Sequence, residues 1–139
     1  MKKILIALII ILLLTPLTFG YDSFWKDKLD KQSFLLRGSN VEQTIFRVTE
    51  WIFYNTEYKF YKYPLPIQDF WEHKVGDCTD MNGLAQYMLK YNRVKTVRVH
   101  GFADCYGAVN VKHDWLEYNG TIVDVLQCTN YVKRGERFW

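Results

Sequence analysis

The sequence predicts an α+β arrangement, in which helical segments come first and strands follow. Apolar residues recur every three or four positions in segments 41–55 and 78–91, which is the spacing of one helix face. Three later runs, at 94–102, 111–118 and 121–126, are rich in β-branched and aromatic residues and are separated by turn residues. A chain of 139 residues that is 49% hydrophobic can bury one core, so we expect one domain.

The remaining elements are predicted from local signals. Asn40 is a good N-cap for the helix that begins at Val41, and Pro66 is suited to the start of a short helix. Asn92 is a suitable left-handed stop for the second long helix. The other segments are a short helix and loop at 21–40, an extended aromatic loop at Tyr58–Tyr63, the short helix at Ile67–His73 and a loop at 103–110.

Residues 1–20 have the features of a secretory signal peptide. The segment starts with two lysines, continues as an unbroken apolar run at 4–14, and ends in small residues suited to cleavage after Gly20. The run is shorter than the roughly 20 apolar residues of a spanning helix, and an uncleaved anchor is the alternative. We therefore expect a domain at 21–139 that is secreted, periplasmic or on the cell surface, and that meets the membrane only if the segment stays attached.

The stretch Gly76-Asp77-Cys78-Thr79-Asp80 predicts a helix start with a cysteine in its first turn. Asp77 is a good N-cap, and Asp80 lies at the position of a capping-box partner. The positive end of a helix favours the thiolate, which is the nucleophilic form of cysteine. The alternative for Cys78 is a small, buried, apolar role.

The Asn119-Gly120 dipeptide predicts a tight β-hairpin and thereby its register. If the two residues form the loop, His113 and Asp124 are diagonal neighbours on one face of the sheet, at about 7–8 Å between backbones. A carboxylate at that distance can reach an imidazole, orient it and stabilise its charged form.

The three cysteines suggest one disulfide and one free thiol in an oxidising compartment. Cys105 precedes the His113 segment and Cys128 follows the Asp124 segment, so these two can bridge if the segments are neighbouring strands. Cys78 would then be the free thiol. The alternative is that all three are structural, with Cys78 bonded to another chain.

Composition argues against two classes of partner. The net charge is only +3 and no arginine-rich run is present, so we expect no nucleic-acid binding. The Cys and His spacings lack the paired ligands of a zinc site, so we expect neither a metal nor another cofactor. His73 and His100 are predicted to be surface histidines.

Together these motifs resemble the transglutaminase-like superfamily over roughly residues 48–125. The matching pieces are a Gly-Asp-Cys-x-Asp helix start, a Gly-Phe strand, a His-x-Trp strand and an Asp strand, here Gly76–Asp80, Gly101-Phe102, His113–Trp115 and Asp124. Asn82 and Asp114 depart from the pattern, because small residues are usual at both positions. The Cys78 helix would also have to pack against the face that carries His113 and Asp124.

The resemblance implies a papain-like α+β fold in which the cysteine-bearing helix packs on a small antiparallel sheet. It also implies that Cys78 is the nucleophile, His113 the base and Asp124 the orienter of the base. The expected function is a secreted thiol enzyme that acts on peptide or amide carbonyls of a peptide or protein substrate. Hydrolysis is the leading expectation and amine transfer the second. A non-catalytic binding module on the same scaffold is the alternative.

One site component is left open by the sequence. The backbone N–H of Cys78 can supply one donor of an oxyanion hole. A second donor should come from upstream, where four aromatic residues are available, namely Trp51, Tyr58, Tyr61 and Trp71. The sequence does not choose between them, and it does not specify the oligomeric state.

Overall fold

The structure, a computed structural model, describes residues 21–134. It contains the helices α1 (Tyr21–Leu35), α2 (Val41–Asn55), α3 (Ile67–His73) and α4 (Cys78–Tyr91), and the strands β1 (Glu57–Tyr58), β2 (Val75–Gly76), β3 (Val97–Cys105), β4 (Ala108–Tyr118), β5 (Thr121–Val123) and β6 (Thr129–Lys133). The expected signal peptide at 1–20 lies outside the described residues. Within 21–134, no helix is long and apolar enough to cross a membrane.

Helix α4 lies at the centre of the domain. It packs against α1, α2 and α3 and against strand β4 of an antiparallel sheet whose strand order is β5-β4-β3-β6. Its residues Leu84, Ala85, Met88 and Leu89 are fully buried, as expected from the helical spacing of its apolar residues. The centre of the core is therefore the helix that begins with Cys78.

The helix starts predicted from capping residues are present. The side chain of Asn40 accepts a hydrogen bond from the Gln43 N–H at 2.8 Å, and α2 begins at the next residue. Helix α3 follows Pro66 as predicted. Helix α1 is 15 residues long, and is therefore longer than the short helix predicted for this region.

The end of α4 differs from the prediction. Asn92 has φ −85°, and the left-handed residue is Arg93, with φ 65°. The Asn92 side chain donates to the carbonyl oxygens of Ser33 and Met88, at 2.7 and 3.0 Å. These bonds, one of them to α1, hold Asn92 in place, and the chain reverses one residue later.

The predicted loop at 103–110 is a β-hairpin. Strand β3 continues to Cys105, and Tyr106 and Gly107 form the turn with φ 50° and 86°. Two successive positive φ angles are typical of the two-residue turns that match the twist of antiparallel strands. Asp104 supports the turn, because its carboxylate accepts from the Asn110 N–H at 2.7 Å.

The β4–β5 hairpin has the predicted register, with Tyr118 opposite Thr121 and Leu116 opposite Val123. The third predicted strand, however, ends at Val123 instead of Leu126. Extended to residue 126, the predicted register would place His113 opposite Leu126, and that prediction is wrong because β5 ends before this point. On its other side His113 lies opposite Gly101 of β3.

Strand β6 was not predicted from the sequence. It pairs with β3, where Gly101 lies opposite Lys133 and Phe102 opposite Val132. A Cβ on Gly101 would lie 2.2 Å from the Val132 carbonyl oxygen and 2.6 Å from the Trp115 ring. Glycine at this position allows the edge strand and the buried indole to approach the same point of β3.

Candidate active site

Cys78 is the first residue of α4, and a capping box fixes that end of the helix. The Asp77 carboxylate accepts from the N–H groups of Thr79 and Asp80, at 2.8 and 3.4 Å. The Asp80 carboxylate accepts in return from the Asp77 N–H at 3.0 Å. Because the cap does not use the Cys78 N–H, that group is left as a donor at the positive end of the helix.

The segment that leads into Cys78 is held by a short parallel pairing. Tyr58 of β1 lies opposite Gly76 of β2, and the Lys59 N–H donates to the Gly76 carbonyl at 2.8 Å. A Cβ on Gly76 would lie 2.7 Å from the Asp80 carboxylate. Glycine at this position therefore avoids a steric clash with the capping box. The half-buried Cys78 is the free cysteine of the chain.

His113 and Asp124 form a buried pair beside Cys78. His113 Nε2 lies 2.8 Å from Asp124 Oδ2, and each side chain is 2% exposed. Burial lowers the pKa of His113, but hydrogen bonds with Asp124 and Cys78 and the charges of both raise it to about 9. Since Nε2 is bound to Asp124, Nδ1 is the ring nitrogen available to the Cys78 thiol. The structure thus brings together the three residues predicted from the sequence.

Asp124 is held by more donors than His113 alone. Its Oδ1 accepts from Asn82 Nδ2 and from the Leu126 N–H, at 3.1 and 3.2 Å. Its Oδ2 accepts from the Tyr131 hydroxyl at 2.8 Å and the Cys128 N–H at 3.2 Å. Burial raises the pKa of Asp124, but hydrogen bonds from His113, Asn82 and Tyr131 keep it below its usual value. The carboxylate is therefore fixed as an acceptor.

Asn82 has a structural role at the site that sequence reasoning missed. It is fully buried, donates to Asp124 and to the Asp114 carbonyl, and accepts from the Val125 N–H at 3.2 Å. It lies four residues after Cys78 and so on the same face of α4. The signal in the sequence that could have indicated this role is the presence of a polar residue on the apolar face of the helix.

A disulfide joins Cys105 and Cys128 next to this group. Their sulfur atoms and one ring nitrogen of His113 all lie within 4.8 Å of one another. The bond joins the end of β3 to the residue before β6, and it links the two cysteines that the sequence predicted to pair.

One of the four open oxyanion-hole candidates, Tyr58, pairs with Gly76, two residues before the nucleophile. Trp51 and Trp71 stack on each other with ring centroids 5.8 Å apart. The pKa of Tyr58 is raised by burial and by the negative charges of Cys78 and Asp77. Tyr58 is therefore the candidate that we place nearest the Cys78 segment.

A second polar chain crosses from α4 to the sheet. Asp114 accepts from Thr79 Oγ1 at 2.9 Å, and its other oxygen lies 2.5 Å from His100 Nδ1. The His100 side chain is 60% exposed, in line with a surface histidine, but its pairing with Asp114 was not predicted. His73 Nδ1 lies 2.9 Å from the Asp69 carbonyl oxygen within its own helix.

Comparison with known proteins supports the fold. No protein-family model matches the chain, and no curated protein matches it. Among solved structures, the chain is similar to a candidate cysteine protease from Cytophaga hutchinsonii, with a TM-score of 0.62 and 21% sequence identity. The match covers 77% of this chain and 40% of that protein, so the chain spans about two fifths of its length.

At this level of identity the likeness shows the fold alone. The chain has an α+β, papain-like fold in which the cysteine-bearing helix α4 packs on an antiparallel sheet, as the sequence predicted.

Proposed function

We propose that this protein is a thiol enzyme that acts on peptide or amide carbonyls, with Cys78 as nucleophile, His113 as base and Asp124 as orienter. The observation that carries the proposal is the buried His113–Asp124 pair beside a free cysteine at a helix N-terminus. A nucleophile, a base and a group that orients the base are the three parts that activate a thiol. A protein of related fold is a candidate cysteine protease, which agrees with this chemistry.

In the proposed mechanism, the Cys78 thiolate attacks the carbonyl carbon and the carbonyl oxygen becomes an oxyanion. The Cys78 N–H stabilises that oxyanion, and the Tyr58 hydroxyl is the second donor we favour. The His113 imidazolium gives its proton to the leaving amine as the C–N bond breaks, which leaves a thioester. His113 then takes a proton from water as the hydroxide attacks the thioester. The C–S bond breaks, which releases the acid and leaves the Cys78 thiolate beside the His113 imidazolium, as at the start.

The particular class we propose is transglutaminase-like. The Gly76–Asp80 helix start, the His113–Trp115 strand and Asp124 match the pattern of that superfamily in order. Hydrolysis is the proposed reaction, and transfer of the acyl group to an amine is the second candidate, since both begin from the same thioester. The disulfide and the apolar segment at residues 4–14 favour a location outside the cytoplasm.

The test is alkylation of the protein by iodoacetamide across pH 5–9 without reductant, followed by peptide mapping. We expect labelling of Cys78 alone, and at pH 6 a rate at least tenfold above that of a small free thiol, whose pKa is about 8.5. The His113→Gln variant should lose this advantage. If wild type and variant label alike, the non-catalytic scaffold explains Cys78 better.

Activity is tested in the same preparations with a fluorescent casein substrate. Release of fluorescent peptides by the wild type and not by Cys78→Ala would support hydrolysis. Incorporation of a fluorescent primary amine without release would instead indicate acyl transfer.

A further inference from the structure

Tyr131 of β6 contacts both members of the buried pair. Its hydroxyl donates to Asp124 Oδ2 at 2.8 Å. This carboxylate oxygen also lies 2.8 Å from His113 Nε2. The Tyr131 ring centroid lies 6.2 Å from that of His113 and 5.1 Å from that of Trp115. The Tyr131 ring is therefore a neighbour of the His113 ring, and its hydroxyl holds the carboxylate that orients the imidazole.

We propose that Tyr131 is a positioning residue for the His113–Asp124 pair, and that the Cys105–Cys128 disulfide holds it in place. That this positioning contributes to catalysis rests on the proposed function. The positioning itself concerns contacts that can be measured whether or not the protein hydrolyses peptides.

The disulfide acts on Tyr131 through the start of β6. This strand lies at the edge of the sheet and pairs only with β3, with an irregular register between Phe102 and Asp104. Cys128 is the residue immediately before β6, and its bond to Cys105 ties the start of β6 to the end of β3. Since Tyr131 follows Cys128 by three residues, the crosslink limits how far its hydroxyl can leave Asp124.

The disulfide also fixes a second donor to the same oxygen. The Cys128 N–H donates to Asp124 Oδ2 at 3.2 Å. In the adjoining turn, the Tyr106 hydroxyl donates to the Leu126 carbonyl at 2.9 Å, and so ties the β3–β4 turn to the segment that follows Asp124. Loss of the crosslink would therefore loosen two of the donors that hold the carboxylate.

Tyr131 stays a donor over the working pH range. Its pKa is raised by burial, by the charge of Asp124 and by the hydrogen bond to that carboxylate. The titratable groups that face the pair are Cys78 of α4, Tyr131 of β6 and Tyr106 of the turn. Without the Tyr131 hydroxyl, Asp124 Oδ2 has one hydrogen-bond donor fewer and keeps more of its negative charge. That charge stabilises the His113 imidazolium more strongly, while the carboxylate itself is held less firmly in position.

The first measurement is an NMR titration of the His113 ring in a Cys78→Ser background, which removes the coupled thiol. Tyr131→Phe should raise the pKa of His113 by at least about 0.3 unit, because one donor to Asp124 is lost. Tyr118→Phe is the matched control: it makes the same change on β4, and Tyr118 has no hydrogen bond to Asp124. An unchanged His113 pKa in Tyr131→Phe would overturn the proposal.

The second measurement is a double-mutant cycle with the disulfide. All buffers contain EDTA, because thiols freed by reduction of Cys105 and Cys128 could capture a metal ion together with His113. If the crosslink acts through Tyr131, Cys105→Ser/Cys128→Ser should shift the His113 pKa in the same direction, and adding Tyr131→Phe should change it little further. Additive shifts would overturn the proposed link. If the crosslink variant does not fold, dithiothreitol reduction of the folded protein supplies that arm of the cycle.

Enzyme kinetics separate this inference from the proposed function. In an active enzyme, Tyr131→Phe should lower kcat about tenfold with little change in KM, since it removes a hydrogen bond to a charged group. An unchanged kcat would show that the positioning by Tyr131 does not contribute to catalysis. A shifted pKa in a protein that neither hydrolyses peptide bonds nor transfers acyl groups to amines would support the positioning and reject the proposed function.

Discussion

At the residue scale, the site depends on how two buried ionisable groups are satisfied. His113 and Asp124 are almost inaccessible to water, and isolated charges in such places are strongly disfavoured. Here the imidazole and carboxylate satisfy each other, and Asn82, Tyr131 and two backbone N–H groups supply the remaining donors to the carboxylate. The pair can therefore carry opposite charges inside the domain.

The raised pKa of His113 predicts a dependence of stability on alkaline pH. A histidine whose folded pKa is about 9 adds stability that is full below its unfolded value and is lost as pH rises through 9. We expect the difference in unfolding free energy between wild type and His113→Gln to shrink by on the order of 2–3 kcal/mol from pH 6 to pH 10. Urea unfolding at a series of pH values measures it, and a constant difference would contradict the assignment.

Asn82 gives a second prediction at this scale. Asn82→Ala should lower the unfolding free energy by about 2–3 kcal/mol, because it leaves the buried Val125 N–H without its partner and removes a donor to Asp124. Asn55→Ala is the matched control, since Asn55 is exposed and its side chain donates to the Trp51 carbonyl of its own helix. Thermal or urea unfolding of both variants checks this, and equal small losses would count against the buried role.

The prediction that His113 and Asp124 are close to each other came from the hairpin register. The structure brings the two side chains together, but Asp124 is not part of a strand as predicted. The register is as predicted where β5 exists, but Asp124 lies just beyond the end of that strand. The carboxylate still reaches the imidazole because the turn after Val123 folds back, with the N–H groups of Leu126 and Cys128 bound to Asp124.

At the element scale, the N-terminus of α4 links helix capping to chemistry. The capping signal was visible in the sequence because N-cap and capping-box positions depend on neighbouring residues alone. Strand β6 was not visible, since Thr129–Lys133 is mostly exposed and lacks a clear apolar alternation. Tyr131 therefore could not be assigned to the site before the fold was known.

The two helix caps provide a matched pair of variants. Asp77→Ala and Asn40→Ala should each cost about 1 kcal/mol of stability, because each removes an N-cap acceptor. Only Asp77→Ala should also slow alkylation of Cys78, since only this cap fixes the turn that carries the cysteine. Unfolding curves and iodoacetamide rates on both variants test the contrast, and equal alkylation rates would contradict it.

At the scale of the whole molecule, α4 and the disulfide connect the two parts of the fold. Helix α4 touches all three other described helices and β4, while the crosslink ties the end of β3 to the edge strand β6. The site lies where these parts meet, because Cys78 comes from the helix and His113 and Asp124 come from the sheet side. Its geometry therefore depends on the packing of the helix on the sheet.

The crosslink predicts a loss of global stability on reduction. Cys105 and Cys128 are 23 residues apart, and closing a loop of that size in the unfolded chain is worth about 3 kcal/mol. Cys105→Ser/Cys128→Ser should lower the unfolding free energy by about that amount, as measured in urea. Reduction should leave the stability of the double variant unchanged. A variant as stable as the wild type would show that the bond adds no constraint.

The sequence by itself determined the features that depend on neighbouring residues. The cap at Asp77, the starts of α2 and α3 and the Asn119-Gly120 turn all follow from local backbone chemistry. Only together with the family resemblance did they lead to the prediction that Cys78, His113 and Asp124 form one site. Tertiary structure decided what depends on distant contacts: the left-handed residue after α4, the course of the chain beyond Val123, and the placing of Asn82 and Tyr131 on Asp124. These depend on which buried donor finds which acceptor across the core, and no local pattern encodes that pairing.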